Sequence, residues 1–151
     1  MNKTKILEAL ELIRIAVSEE TPESITVFDF QDGKGPVPAK RHKNPDGTER
    51  GWVADTAKVE STCFIGPDAQ IYENAQVYGN AQVYGDAKVF GSARVYGNAQ
   101  VYGNAGVYGY AKVYEYAQVS GYARVFEDAQ IYGNALVYGN AQIYGNAQIY
   151  G

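Results

Sequence analysis

The side chains of this chain that could carry out chemistry are few. Its single histidine, His42, stands among Lys40, Arg41 and Lys43 in a segment rich in Gly, Pro, Asn and Asp. An imidazole titrates near neutral pH and can act as a general base, while the flanking cations could hold an anion or an acidic partner. The composition of the segment favours a solvated surface turn. The alternative interpretation is an anion- or partner-binding loop.

Tyrosine is the other chemically informative residue, with 14 copies in 151 residues. From residue 71 onward an aromatic residue recurs almost every six residues, so that rings form regular rows. Such a surface is more aromatic than a solitary monomer normally exposes, which is typical of an interface. The interpretation that the rings only stabilise the fold remains open. The candidate binding residues are Tyr78, Tyr96, Tyr114 and Tyr132 in one row, and Tyr110, Tyr116 and Tyr122 outside the rows.

Composition argues against several classes of function. Cys63 is the single cysteine, so the chain has no internal disulfide and no His/Cys cluster for a metal, and we expect no cofactor. The net charge of −4 lacks the basic excess of a nucleic-acid-binding protein. The first twenty residues alternate charged and apolar side chains, unlike a signal peptide, and no apolar run is long enough for a membrane span. These features predict a soluble cytoplasmic protein.

A six-residue repeat positions the tyrosines. From Val53 to the end the chain consists of sixteen complete hexads and half of another, without an insertion. Position one is always Val or Ile, and position five is Ala except at Cys63. A strict short period predicts a solenoid whose units bury their apolar faces by stacking. We therefore divide the chain into residues 1–52, a helix, a strand and a turn-rich capping segment, and residues 53–151, the repeat.

Three hexads would close an 18-residue triangular coil, with positions one and five inward and positions six and two outward. Positions three and four, usually Gly-Asn, would form the corner in the left-handed backbone region. Residues 107–124 break this pattern, because Tyr110, Tyr116 and Tyr122 occupy position four. Bulky residues are disfavoured in the left-handed region. The three tyrosines are either drift of the repeat or a collar that contacts a partner.

Hexads three apart should stack, so that equivalent side chains form ladders along the solenoid. We assign positions two and six of the same hexad to one face, which gives three sets of side chains. The second set carries the ladder Tyr78, Tyr96, Tyr114, Tyr132 and Tyr150. Its position-six row has no charged residue and reads Phe64, Gln82, Gln100, Gln118 and Leu136. Because charges are depleted in buried interfaces, this grouping predicts that the Tyr78 ladder lies on the face that packs against a partner.

The first 52 residues should close the start of the solenoid. Residues 4–19 are predicted to form an amphipathic helix, with Ile6, Leu10, Ile13 and Val17 on one stripe. Packing on its own domain is favoured over a coiled-coil arm, since about two heptads are short for an independent coiled coil. Residues 25–30 are predicted as a strand and residues 45–47 as a turn. Trp52, directly before the first hexad, is predicted to cover the open end.

Residues 65–70, IGPDAQ, match the hexapeptide-repeat pattern, and the other hexads follow its register. The chain thus resembles the left-handed parallel β-helix superfamily, best known for hexapeptide acyltransferases. The resemblance implies an all-β, left-handed parallel β-helix with three hexads per coil and about five coils, preceded by the short helix and capping segment. With GPVPAKRHKNPDG and GWVADTAKV before the repeat, the chain is also similar to Tyr-rich hexapeptide proteins of bacteria and their phages. This second resemblance implies a phage or prophage accessory protein.

The repeat departs from those acyltransferases, which use a histidine as general base and a protruding loop to shape the acyl-donor cleft. The repeat contains no histidine and no inserted loop. Our first hypothesis is therefore a non-enzymatic scaffold that forms a homo-oligomer or docks another protein, side by side or, because the sequence stops within a hexad, end to end. One alternative is an acyltransferase in which His42 serves a cleft between chains. The other is a glycan-binding rod whose tyrosines stack on sugars.

Overall fold

The computed structural model describes residues 25–151, which form an all-β parallel solenoid. The predicted helix at residues 4–19 lies outside the described residues. Within residues 25–151 there is no helix long and apolar enough to cross a membrane. The strands of the solenoid are two or three residues long and recur every six residues, as the hexads predict.

The three N-terminal strands are β1 (Val27–Asp29), β2 (Pro36–Lys43) and β3 (Glu49–Ala54). The others are β4 (Lys58–Val59), β5 (Phe64–Ile65), β6 (Gln70–Ile71), β7 (Gln76–Val77), β8 (Gln82–Val83), β9 (Lys88–Val89), β10 (Arg94–Val95), β11 (Gln100–Val101), β12 (Gly106–Val107), β13 (Lys112–Val113), β14 (Gln118–Val119), β15 (Arg124–Val125), β16 (Gln130–Tyr132), β17 (Leu136–Val137), β18 (Gln142–Ile143) and β19 (Gln148–Tyr150).

These strands form three parallel faces, each built from every third strand. Face A contains β3, β6, β9, β12, β15 and β18, and the antiparallel strands β2 and β1 extend it at the N-terminal end. Face B contains β4, β7, β10, β13, β16 and β19, and face C contains β5, β8, β11, β14 and β17. Arg94 is the register partner of Lys112, and Val95 of Val113, so one coil holds 18 residues. The solenoid makes about six turns.

Positions one and five fill the interior, as predicted. From Ile65 to Ile131 each Val or Ile at position one is 0% exposed, and the alanines between them are at most 1% exposed. Each face thus contributes one branched and one very small side chain to a narrow core. Backbone hydrogen bonds join each coil to the next at these residues. Tyr96 N donates to Val113 O at 3.0 Å, and Gln100 N donates to Ala117 O at 3.0 Å. The backbone ladder and the core therefore share one register.

The corners differ from the prediction, because only position three is left-handed. The glycines at position three from Gly79 to Gly145 have φ between 64° and 69°, whereas no position-four residue has a positive φ. With the bond from the position-five N–H to the position-two carbonyl, this pattern is typical of a type II′ turn. The expectation that Tyr110, Tyr116 and Tyr122 occupy a left-handed position is therefore wrong, and these tyrosines strain no corner.

Three glutamates replace glycine at position three: Glu73, Glu115 and Glu127, with φ of 56° to 57°. A left-handed backbone costs a non-glycine residue roughly 1 kcal/mol. The Oε2 atoms of Glu115 and Glu127 accept hydrogen bonds from Gly133 N at 2.8 Å and Gly145 N at 2.7 Å in the next coil. These charge-assisted bonds offset the backbone cost and tie one coil to the next.

The segment predicted as a turn-rich loop is a β-hairpin. Strand β1 confirms the predicted strand, and β2 pairs antiparallel with both β1 and β3. The predicted turn at residues 45–47 joins β2 to β3, with Gly47 N donating to Asn44 O at 2.9 Å. The basic cluster Lys40 to Lys43 therefore lies on strand β2, where a register shift falls between Lys40 and His42. The Gly and Pro content of the segment indicates a loop, so the sequence did not predict this strand. The strand forms because β3 pairs with it and supplies its hydrogen bonds.

Replacing Val95 by Asp should unfold the solenoid, because the carboxylate would enter an interior that is fully buried and contains no cation. We expect a loss of more than about 4 kcal/mol in the free energy of unfolding. The same substitution at the outward-facing Gln100 should cost less than about 1 kcal/mol. Circular dichroism during urea unfolding measures both, and equal losses would contradict the inward assignment of Val95.

Candidate functional site

The aromatic ladders are present and their rings lie directly on one another. Along each ladder the ring centroids are 4.7 to 5.3 Å apart and the planes differ by 2° to 18°. The rings thus follow the spacing of the coils and stack in parallel. A ring within a ladder therefore has its faces covered by its neighbours, and presents mainly its edge and hydroxyl outward.

The hydroxyl groups of four ladder tyrosines are held by glutamines of the following coil. Tyr84 donates to Gln100 Oε1 at 3.1 Å and Tyr114 to Gln130 Oε1 at 3.1 Å. The same contact joins Tyr102 to Gln118 at 3.2 Å and Tyr132 to Gln148 at 3.4 Å. Partial burial raises the pKa of Tyr84, Tyr96 and Tyr114, so these rings stay neutral. Stacking and hydrogen bonding together make the ladders part of the fold.

The assignment of the uncharged face from hexad grouping is wrong. The Tyr78 ladder lies on face B, beside the position-six row Lys58, Gln76, Arg94, Lys112, Gln130 and Gln148. The uncharged row from Phe64 to Leu136 lies on face C, beside Tyr84, Tyr102, Ser120 and Tyr138. Positions two and six of one hexad are separated by a corner, so they point from different faces. The charge-free face is therefore face C.

Tyr110, Tyr116 and Tyr122 project from the three corners of one coil. They are 69%, 62% and 62% exposed. Within residues 25–151 none of them takes part in a close ring pair. Unlike the stacked tyrosines of the ladders, they offer an uncovered ring face to solvent.

The four residues of the basic cluster line one groove but have different environments. Arg41 places its guanidinium 4.2 Å from the centre of the Trp52 ring, and its Nη1 donates to Pro67 O at 3.2 Å. Lys40 and Lys43 are exposed, whereas His42 is 9% exposed. The cluster is therefore divided between a structural arginine, a buried histidine and two solvated lysines.

His42 holds the edge of the first coil. Its Nε2 lies 2.9 Å from Cys63 O, and since a carbonyl oxygen only accepts, this nitrogen carries the proton. Burial lowers the pKa of His42, against the raising effect of that hydrogen bond, so the ring is neutral at pH 7. The Nε2–H group is thus engaged with the backbone, and the lone pair of the neutral ring is on Nδ1.

Asn44 is a functional residue that the sequence analysis missed. Its Nδ2 donates to Ile65 O at 2.9 Å, and its Oδ1 accepts from Ile65 N at 2.8 Å. The amide thereby imitates the strand that β5 lacks on its outer side. An asparagine before Pro-Asp-Gly indicates only a turn, so no sequence signal distinguishes this role.

Trp52 does not cover the open end, contrary to the prediction. Its ring lies on the outer side of face A and stacks on Phe28, with centroids 4.5 Å apart and planes 16° apart. His42 and Asn44 cover the end instead. The backbone approaches closely there, because a Cβ on Gly51 would lie 2.2 Å from Ile65 Cγ2.

A groove of about 720 Å³ lies at the same end, where hairpin strand β2 leaves β4 uncovered. Val53, Ala57, Val59 and Val77 line it, with Lys40, Lys43 and Lys58 among its polar residues. His42 also lines the groove, although its Nε2 points to Cys63 O. Among residues 25–151 no three His, Cys, Asp or Glu side chains are grouped to hold a metal ion.

Comparison with known proteins agrees with the solenoid architecture. The family model described as YdcK Beta solenoid repeat matches residues 81–97, 93–109, 99–115 and 129–145. The chain is similar to this repeat family over about a third of its length. All of the matched residues lie within the coils. No curated protein and no solved structure matches the chain.

Replacing Asn44 by Ala should destabilise the solenoid, because Ile65 N and O would lose their buried partners. We expect about 2 to 4 kcal/mol from two unsatisfied backbone groups. Asn98→Ala, at an exposed corner, is the matched control and should change stability by less than about 0.5 kcal/mol. Urea unfolding measures both, and a similar effect at the two sites would show that the Asn44 bonds contribute nothing.

The stability of the wild-type protein should fall on acidification because of His42. Its pKa is lowered in the folded state, so the unfolded chain binds the proton first, near its ordinary value of about 6.5. The stability present above that value should therefore be lost as the pH falls towards the lower folded pKa. In His42→Gln, whose amide can still donate to Cys63 O, the free energy of unfolding should change less between about pH 7.5 and 5.5. Parallel pH profiles of the two proteins would exclude this role.

Proposed function

We propose that this protein is a non-enzymatic scaffold that self-associates through face C. Its solenoid would be a left-handed β-helix of the hexapeptide-repeat superfamily, a proposal supported by the unbroken hexad register. The observation that carries the functional proposal is the distribution of charge. Faces A and B carry lysine or arginine at position six, whereas face C has no charged side chain at position six or two.

The outer surface of face C suits a partner of the same kind. Its position-six row ends in Leu136, which is 60% exposed, and its ladder ends in Tyr138, which is 69% exposed. In the preceding coils of face C, the hydrogen-bonded pairs Tyr84–Gln100 and Tyr102–Gln118 keep the surface neutral. Two copies of such a face bring no like charges together and leave no buried ion unpaired, which favours contact between copies.

The size of the face sets the strength of the association. Five strands at about 4.8 Å, each contributing three or four outward and corner residues, give roughly 300 Å² per chain. A stable interface takes about 800 Å² from each partner. Face C alone therefore supports a weak and reversible contact, and a second protein could compete for it.

The position of His42 supports the non-enzymatic proposal over the acyltransferase alternative. A general base must reach the proton that it removes, but the ring of His42 is only 9% exposed and is held in place by the bond from its Nε2 to Cys63 O. Titration with acetyl-coenzyme A tests the alternative. A transfer activity that disappears in His42→Ala, while the fold persists, would favour the enzyme.

The double variant Gln100→Lys/Gln118→Lys should remain monomeric, because like charges would face each other across face C. Position six accepts lysine elsewhere in the repeat, as at Lys88 and Lys112, so the fold should persist. Sedimentation velocity over about 1 to 500 μM covers the affinity expected of a small interface.

The matched control is Gln130→Lys/Gln148→Lys on face B, where both glutamines also accept a tyrosine hydroxyl. The wild type and this control should show sedimentation coefficients that rise with concentration. A wild type that is monomeric throughout, or a control that dissociates equally, would contradict the role of face C.

A further inference from the structure

Two corners of the coil at residues 107–124 combine an exposed tyrosine with a cation. Tyr110 at position four is followed by Lys112 at position six, and Tyr122 by Arg124. At the third corner Tyr116 is followed by the uncharged Gln118. The same coil thus provides two potential anion sites and one neutral corner of the same shape.

The first groove follows the corner between faces A and B and has a volume of about 500 Å³. Arg94 and Lys112 line it as register partners in neighbouring strands, about one strand spacing apart. Tyr110 and Ser92 line the groove with them, together with the carboxylate of Asp128. Like charges stacked on adjacent strands destabilise a sheet.

Neither cation forms an ion pair within the described part of the chain. The one ion pair within 4.0 Å among residues 25–151 joins Lys34 to Glu73 and includes neither Arg94 nor Lys112. Half of the sixteen complete hexads carry glutamine at position six, so the fold does not require two cations there. A local cost of this kind, at positions where a neutral residue is the rule, is typical of a binding site.

The second groove follows the corner between faces C and A and has a volume of about 390 Å³. Lys88 and Arg124 line it two coils apart, with Gly106 in the coil between them. Gly106 is the only position-six residue of the repeat without a side chain beyond Cα, so it contributes only backbone to the wall of this groove. Tyr122 and Asp86 also line this groove.

Tyr110 and Tyr122 bring an uncovered aromatic face to these cationic grooves. The stacked tyrosines of the ladders cannot do so, because their rings cover one another at 4.7 to 5.3 Å. Tyr138 has no ring partner among residues 25–151, but it lies on face C, which has no cation at position six. The C–H-rich face of a sugar packs on an aromatic ring, and the amide and hydroxyl groups beside it bond sugar hydroxyls. The cations would hold an acidic group on the same sugar or the next.

We propose that the two grooves bind an acidic oligosaccharide, with one sugar ring on each tyrosine. Each groove contains two cations and one carboxylate, Asp128 in the first and Asp86 in the second. A carboxylate accepts hydrogen bonds from sugar hydroxyls but repels a closely charged polyphosphate chain. This composition favours a glycan with spaced carboxylate or sulfate groups over a nucleic acid.

Affinity electrophoresis of the full chain in gels containing polygalacturonate or dextran sulfate tests the proposal, with neutral dextran as the blank. The wild type should be retarded by at least one acidic polymer and not by dextran. Tyr110→Asn/Tyr122→Asn should weaken binding about tenfold or more, a difference that corresponds to about 1.4 kcal/mol. Asn occupies the same column in neighbouring coils, at Asn74 and Asn104, so the corners should still form.

Two further variants test the cations and the space in the second groove. Lys112→Gln/Arg124→Gln should also weaken binding, and Gly106→Gln should do so at the second groove because its side chain would occupy part of the groove that Gly106 lines. A Cβ at Gly106 finds ordinary space, 3.5 Å from Arg124 Nη1, and its φ is not positive. Tyr116→Asn and Lys58→Gln are the controls for ring and charge, and both should bind as the wild type does.

The proposal is overturned if neither acidic polymer retards the wild type, or if Tyr116→Asn loses as much affinity as the Tyr110 and Tyr122 variant. It is also overturned if single-stranded DNA binds as well as the glycans and the asparagine variants leave all binding unchanged. That result would show attraction to polyanions in general.

Discussion

The structure depends on the match between a narrow interior and a coil of fixed length. Only one Val or Ile and one Ala per face fit inside, and Val95 and Ala99 illustrate the pattern with no exposed surface. Because each coil repeats after 18 residues, the backbone bonds of one coil meet those of the next in constant register. Every outward side chain therefore lies directly above its equivalent. The ladders are a consequence of this register, and so is the proximity of Arg94 to Lys112.

Because of this register, most of the aromatic surface is covered by neighbouring rings. Rings stacked at the coil spacing cover each other, and hydroxyls such as that of Tyr84 are bonded to glutamines of the next coil. The parts of the surface with chemical capacity are those that depart from the repeat. They are the tyrosines at position four, the cations at position six and the charge-free face C. In a repeat protein of this kind, the residues that depart from the repeat are the ones that can distinguish one partner from another.

The N-terminal end shows how side chains replace a missing strand. Among residues 25–151 strand β5 has no strand neighbour on its outer side, and Asn44 supplies a donor and an acceptor in the geometry of a strand. His42 does the same for Cys63 O, at the cost of being held neutral. The residue that looked most like a catalytic base is therefore part of the cap. Its low accessibility removes water from the ring, and this desolvation keeps the ring neutral.

The hexad period by itself determined the parallel solenoid and the inward positions one and five, because side chains alternate along a strand. It also determined which aromatic residues belong to each ladder, because an 18-residue coil places every third hexad in register. Tertiary structure decided which row lies beside which ladder, since the corner turns positions two and six of one hexad onto different faces. It also decided that only position three is left-handed, so Tyr110 is unstrained, and that Lys40 to Lys43 form a strand. Trp52 illustrates the limit of local reasoning. Its place next to the first hexad suggested an end cap, but it is in register with the position-six residue Gln70, and pleating of β3 turns its ring outward onto Phe28.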